Sequence, residues 1–377
     1  MEKIVEKKLC TGCNACKSIC PKQAIHMEEN EDGFLFPVID EKKCINCGLC
    51  KRTCPVINTQ DNKSMNKCYV AYAKEREIRY TSSSGGIFTL IANEILKANG
   101  IVIGAMLDSN HHLKHIAIEK STDLEKLKGS KYLQSELNNI FEYIKENIKE
   151  KKILFVGTPC QVAGLKAYIK KEEENLICID LVCHGVPSPK LFIKYIQELE
   201  KENGRLISYN FRDNSTGWEN YSNSMIFKNK EIKEKNSDNK YMRLFLSNLA
   251  LRESCYSCNF KLGNKYSDIT LGDFWGIKNK YPEIYNKEGV SAIIINTIKG
   301  NEIIELIKEN MIFKECSIDD IVLGNPSLKE SCLLPKKRET FMKDMDELSI
   351  DALTKKYIKK TPFYRRVLRK LKRLIHK

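Results

Sequence analysis

The chain has 377 residues, 42% hydrophobic and 30% charged, which is long enough for two or three domains with buried cores. Its formal net charge of +14 is concentrated at one end: residues 355–377 hold eleven Lys/Arg and no acidic residue, whereas the first 354 residues carry 52 basic against 49 acidic side chains. A nucleic-acid binder spreads its basic residues over a face and interleaves stacking aromatics, so this balance argues against a nucleic-acid partner.

Met1 to Leu9 has scattered charges and no apolar core, so no signal peptide is expected, and no apolar run approaches the length of a membrane span. The expected setting is the cytoplasm, where cysteines stay reduced. The chain has 16 of them, and metal ligation is the first reading for any that cluster.

Cys10, Cys13, Cys16 and Cys20 precede Pro21, and Cys44, Cys47, Cys50 and Cys54 precede Pro55, so the run C-x2-C-x2-C-x3-C-P occurs twice. This is the spacing of two-cluster bacterial ferredoxins, in which three thiolates wrap one 4Fe-4S cube and the fourth reaches the other. By that rule Cys10, Cys13, Cys16 and Cys54 ligate one cluster, and Cys44, Cys47, Cys50 and Cys20 the second. Gly12 and Gly48 permit close backbone approach to sulfide. Two zinc knuckles are the alternative, but zinc sites seldom combine three cysteines at this spacing with Cys-Pro. So short a segment buries little apolar surface, and ligation must supply much of its folding free energy. The ferredoxin-like domain is placed at residues 1–58, followed by a polar connector from Asn58 to Asn66.

From Cys68 onward, β-rich runs alternate with amphipathic helices, which predicts an α/β or α+β layer fold over residues 67–330. Predicted strands are Cys68 to Ala73, Ile101 to Leu107, Leu113 to Glu119, Ile153 to Val156, Leu176 to Leu181 and Ala292 to Thr297. Predicted helices are Ile87 to Ala98, Leu137 to Ile148, Val162 to Lys170, Pro189 to Asn203 and Ile303 to Glu309. The turn Ser83-Ser84-Gly85-Gly86 opens the first helix and reads equally as a helix cap or as an anion site for a cofactor phosphate. Lys128-Gly129-Ser130-Lys131 is a second such turn, able to complete a dinucleotide site or to be a solvated loop. His111, His112 and His115 read as an exposed hairpin and not as a metal site.

A second cysteine set stands at strand ends and loops, where ligands converge in α/β folds: Cys160 in Gly-Thr-Pro-Cys-Gln, Cys183 before His184, and the pair Cys255 and Cys258. A third 4Fe-4S cluster on these four is the leading reading, with zinc and buried thiols as alternatives. Cys68, Cys178, Cys316 and Cys332 are expected in the core or without a role. Asp268 to Gly276, which holds one of two tryptophans, could wall a flavin or form a tight turn against the core.

Seven motifs in order carry a likeness: Ser83 to Gly86, Lys128 to Tyr132, Gly157 to Gln161, Cys183 to Pro189, Phe211-Arg212-Asp213 with Gly217-Trp218, Cys255 to Cys258, and Ser267 to Gly276. Together they resemble the coenzyme F420 hydrogenase/dehydrogenase beta-subunit family, over about residues 67–330, with a ferredoxin module in front. The resemblance implies FAD in the body beside a third cluster, with Ser83, Ser84, Gly85, Gly86, Lys128, Ser130 and Lys131 at the flavin. It also implies an iron–sulfur flavoprotein oxidoreductase, and a place in bacterial polysaccharide biosynthesis for chains of this arrangement.

Two functions follow. In the first, ferredoxin or another low-potential donor loads the clusters, and FAD passes the electrons to an organic substrate such as a lipid-linked sugar. In the second, the chain is an electron-transfer subunit serving a partner enzyme. The remaining 331–377 form an extension. Its apolar residues Phe363, Val367, Leu368, Leu371, Leu374 and Ile375 make one helical stripe among basic residues, which predicts a basic helix lying on the inner membrane face or docking on the protein's own core.

Overall fold

The computed structural model describes residues 4–59, 65, 67–262 and 265–358. The tail stripe from Phe363 onward and nearly all of the polar connector after Thr59 lie outside the described residues.

The N-terminal residues form a two-stranded antiparallel hairpin, β1 (Ile25–Glu29) and β2 (Leu35–Ile39), flanked by two cysteine loops that each run into one turn of helix, Ala15–Ser18 and Leu49–Arg52. In each loop the second and fourth residues after the first cysteine are left-handed. These are Gly12 (φ +69°) and Asn14 (φ +63°) in one, and Asn46 (φ +54°) and Gly48 (φ +71°) in the other. The two glycines are therefore not equivalent: each loop uses one Gly and one Asn, in opposite order, because both residues tolerate this region.

The body is a mixed α/β fold built on an eight-stranded sheet. Its strands are β3 (Lys67–Ala73), β4 (Ile101–Leu107), β5 (Leu113–Ile118), β6 (Ile153–Gly157) and β7 (Leu176–Leu181), with three more after a smaller sheet. That smaller antiparallel sheet is β8 (Leu206–Asp213), β9 (Ser222–Phe227) and β10 (Lys230–Lys235). The large sheet is completed by β11 (Ile269–Asp273), β12 (Ser291–Ile295) and β13 (Met311–Cys316), in the order β13-β3-β12-β11-β7-β6-β4-β5. Only β4, β6, β7 and β11 run parallel, and β6 and β7 are buried along nearly their whole length. That is expected of strands covered on both faces. The helices Ile87–Lys97 and Ile298–Ile307 cover one face, and Ile140–Asn147 and Pro159–Ile169 the other.

A second core joins the small sheet to the helices Pro189–Asn203, Lys240–Leu246, Arg338–Glu347 and Ile350–Tyr357. Phe34, from the turn between β1 and β2, enters this core and is 1% exposed. Burying one such ring contributes about 1.5–3 kcal/mol, so the hairpin is fastened to the body. Hydrogen bonds secure it further: Lys190 Nζ donates to Glu31 O (2.8 Å), Arg338 Nη2 to Asp32 Oδ2 (3.2 Å) and Lys17 Nζ to Asn139 Oδ1 (2.9 Å).

Two expectations need correction. Ile269–Asp273 is a strand between β7 and β12, not a turn. His111 and His115 are buried, not exposed; only His112 faces solvent. His115 lies on β5, and its ring stacks on Phe155 of β6 at 5.4 Å.

Candidate functional site

Four cysteines line each of three separate cavities. Cys20, Cys44, Cys47 and Cys50 surround the first, walled by Ile25, Ile39 and Leu49. Cys10, Cys13, Cys16 and Cys54 surround the second, with Ile4, Ala15 and Val56. The third holds Cys160, Cys183, Cys255 and Cys258, with Thr11, Arg252, Lys261 and Lys265 on its wall. In the first two, each group of three comes from one loop and the fourth from the other. Among the described residues no three His, Cys, Asp or Glu side chains close on the point a single ion would occupy. The thiols stand around voids.

The third cavity is built by the sheet. Cys160 and Cys183 follow the carboxyl ends of the adjacent parallel strands β6 and β7, where α/β folds gather ligands. Thr158 and Gln161 form a capping box that starts the helix at Pro159, with Gln161 Oε1 accepting from Thr158 N at 2.9 Å. Cys255 and Cys258 lie on and just after the short turn Glu253–Ser257, which follows the residue pairing with Pro187. Cys255 Sγ accepts from Val186 N at 3.5 Å.

Burial dominates the thiol chemistry. It pushes Cys13, Cys183 and Cys255 up to about 12, and Cys160 higher still, with neighbouring cysteines adding to the rise. Left alone these groups stay neutral; a bound cationic centre would deprotonate them outright. Lys261, on the wall of the third cavity, favours that outcome. Lys261 Nζ donates to Cys183 O (3.3 Å) and Ser327 O (2.8 Å), and Lys265 pairs with buried Asp180 at 3.0 Å.

Cys68 and Cys178 are core residues, and Cys316 faces Cys68 across β13 and β3. Cys332 lies beside the third cavity: its Sγ is 3.5 Å from His184 Nε2 and donates to His184 O at 3.1 Å. His184 itself bonds Asn248 Oδ1 at 2.6 Å, and burial lowers its basicity.

The two Ser/Gly/Lys turns meet: Ser130 N donates to Ser83 Oγ at 2.6 Å, and Lys128 Nζ reaches Thr81 Oγ1 at 3.3 Å and Glu125 at 2.5 Å. Gly86 precedes its helix in the left-handed region, φ +83°. Ser84 and Gly85 are bound to β12 and its edge, through Val290 O (3.1 Å) and Ser291 Oγ (2.9 Å). Lys131 turns inward and donates to the carbonyls of Leu127 (2.9 Å) and Lys128 (2.6 Å), with burial lowering its pKa to about 7.

Arg212 and Arg252 are site residues that sequence reasoning missed. Arg212 pairs with Asp273 at 2.5 Å, and Asp273 also accepts from Trp218 Nε1 at 2.7 Å. Trp218 stacks on Trp275 at 4.9 Å. Arg212 Nε and Nη2 are buried and meet no hydrogen-bond acceptor among the described residues. The neighbouring Asn214 donates to Ser82 O at 2.6 Å, which ties this cluster to the Ser83 turn. Phe-Arg-Asp beside Gly-Trp was the available signal, and it shows a motif without showing its partner.

Three family models match the chain in the order of these parts. A 4Fe-4S dicluster domain matches residues 9–58. The N-terminal part of the coenzyme F420 hydrogenase/dehydrogenase beta subunit matches residues 68–142, and its C-terminal part residues 150–321. No curated protein matches the chain. Among solved structures, a chain of the F420-reducing [NiFe] hydrogenase complex from Methanosarcina barkeri is 18% identical, with a TM-score of 0.47, covering 78% of this chain and 91% of that one. The two beta-subunit models together span about two thirds of the sequence: the chain belongs to the coenzyme F420 hydrogenase/dehydrogenase beta-subunit family and carries a 4Fe-4S dicluster domain at its N-terminus.

Proposed function

We propose that the chain is an electron-transfer subunit of an oxidoreductase, holding three 4Fe-4S clusters and exchanging electrons with a partner enzyme. The observation that carries this reading is the gathering of twelve cysteines around three voids, four to each. Cys10, Cys13, Cys16 and Cys54 would hold one cluster; Cys20, Cys44, Cys47 and Cys50 the outer one; Cys160, Cys183, Cys255 and Cys258 the one in the body. Such clusters, when bound, accept and release single electrons at low potential. Apolar side chains wall the two N-terminal cavities, the left-handed loops bring backbone close to sulfur, and Lys261 supplies positive charge at the third cavity. The division proposed is residues 1–58 for two clusters, 67–330 for the third, and 331–377 as an extension whose helices Arg338–Glu347 and Ile350–Tyr357 pack into the body's second core. The family match favours this reading over an enzyme with its own organic substrate.

FAD is the finer proposal. What supports it is the Ser83–Ser130 contact, together with the unpartnered nitrogens of Arg212 nearby. Of the seven expected contact residues, Ser83, Gly86, Lys128 and Ser130 suit a phosphate best; Ser84 and Gly85 hold the turn to the sheet, and Lys131 braces the second turn. A flavin would exchange single electrons with the clusters and a hydride with a substrate.

Anaerobic reconstitution tests both parts. About twelve iron atoms and one flavin per chain are expected. About eight iron and no flavin would remove the body cluster and the flavin, and a colourless, iron-free protein would end the whole reading. Substrate reduction by the purified chain, without a partner, would return the first function to favour. The lipid-linked sugar and the membrane contact rest on the basic tail. Among the described residues no helix is long and apolar enough to cross a membrane. Truncation before Thr361 should empty the membrane fraction of the protein; unchanged recovery there rejects the contact.

A further inference from the structure

Among the described residues, Arg252 is a buried cation without an acidic partner. It is 1% exposed, at the seam between the N-terminal residues and the body. Nε donates to Cys10 O (2.7 Å), Nη2 to Leu35 O (2.9 Å) and Nη1 to Gln134 Oε1 (3.1 Å), and Cys10 Sγ lies 3.8 Å from Nη2. Its guanidinium lies 4.2 Å from the centre of the Phe36 ring. A charge this deep is ordinarily paired, because an unpaired one costs several kcal/mol. Here the hydrogen-bond partners are neutral oxygens and one sulfur. Arg252 also lines the body cavity, together with Cys160, Cys183, Cys255 and Cys258. It therefore stands between two sets of four thiols, 3.8 Å from Cys10 Sγ of one set and on the wall of the cavity that the other set surrounds.

A second contact brings the same two sets together. A Cβ added to Gly164 would lie 2.9 Å from Cys13 Sγ and 2.8 Å from Cys13 Cβ, so only glycine lets the helix Pro159–Ile169 approach this closely. Cys160 is one turn before Gly164, on the same face of the helix. Among the described residues the outer set shares no lining with the body cavity, and its Cys47 is exposed.

Resting on the three-cluster reading above, we propose that Arg252 is a positioning residue for electron transfer across this seam. It is the counter-charge shared by the Cys10/Cys13/Cys16/Cys54 centre and the Cys160/Cys183/Cys255/Cys258 centre, and it raises the reduction potential of both relative to the outer centre. Electrons from a ferredoxin-class donor enter at the exposed Cys47 end. Each crosses singly: one centre is oxidised by one electron, the next is reduced by one, and no bond or proton is exchanged. A fixed positive charge favours the reduced, more negative level of both centres it touches.

The test is a redox titration of the full chain, reconstituted anaerobically and followed by electron paramagnetic resonance, for wild type, Arg252→Met and Arg252→Lys. Arg252→Met should lower the reduction equilibrium of the two seam centres about tenfold, which is about 59 mV for a one-electron couple, and leave the outer centre in place. Arg252→Lys keeps the charge but cannot bridge Cys10 O, Leu35 O and Gln134 together. It should shift the same two centres in the same direction by a smaller step, and it carries the test if the methionine variant does not assemble. Equal shifts in all three centres, or none, would overturn the role of Arg252 while the three-cluster reading stands. Absence of iron–sulfur signals from wild type would end both.

Discussion

Acidifying the protein from about pH 7.5 to about pH 5 should destabilise it through His115, and His115→Gln should remove that part of the loss. Val156 O can only accept, so the Nε2 facing it at 3.0 Å carries the proton. Nδ1 is then bare and accepts from Ser135 Oγ at 2.9 Å, while Ser135 Oγ accepts from Gln161 Nε2 at 3.0 Å. A second proton on the ring would reverse the bond at Ser135 and leave the Ser135 O–H without that acceptor, next to the capping box that sets the Cys160 turn. Burial first, and the nearby charge of Lys131 with it, lowers the folded pKa to about 4 from an ordinary 6.5. The native state therefore binds fewer protons than the unfolded chain between those values. Stability from this source is present above the ordinary value and is lost as pH falls. The loss is about 2 kcal/mol by about pH 5 and about 3 kcal/mol by about pH 4. Glutamine keeps one donor and one acceptor and does not titrate. Anaerobic urea unfolding of both proteins at the two pH values measures the difference. Parallel losses in wild type and His115→Gln would refute the assignment.

Cys255→Ser should reduce iron from about twelve to about eight atoms per chain while both N-terminal centres keep their resonance signals; loss of all iron would mean that the body cavity does not assemble independently. Gly164→Val places methyl groups against Cys13 and should cost about 1–3 kcal/mol by overpacking, read as a lower urea midpoint. An unchanged midpoint would show that the helix and the Cys13 loop are not in close contact.

Much of the body was legible because its strands are short apolar runs. Ile101–Leu107 and Leu176–Leu181 begin and end where the pattern places them, and Pro189–Asn203 is bounded by Ser188 at its start and Gly204 at its end. The helix at Pro159 starts three residues before its expected place, since proline at a first helical position is permitted and the Thr158/Gln161 cap was not read. Strand β10 reads Lys-Glu-Ile-Lys-Glu-Lys; an edge strand of alternating charge has no apolar face to announce it. Ile269–Asp273 was obscured by Gly272 and its acidic ends. His115 looked like part of a hairpin surface because the strand covering it, β6, is 35 or more residues away in sequence. The grouping of Cys20 with the second loop followed from spacing. Of the partners of Arg252, Gln134 is 118 positions away, Leu35 217 and Cys10 242, and no local pattern reports contacts of that range.

The hairpin anchored by Phe34 changes how the protein should respond to its medium. A ferredoxin domain on a free tether delivers charge by diffusing, and its rate falls with solvent viscosity and varies with tether length. Here the hairpin tip is part of the body's own core and the Cys13 loop rests on Gly164. Internal transfer should then be indifferent to viscosity and to residues inserted after Thr59, leaving only the encounter with the external donor sensitive to either.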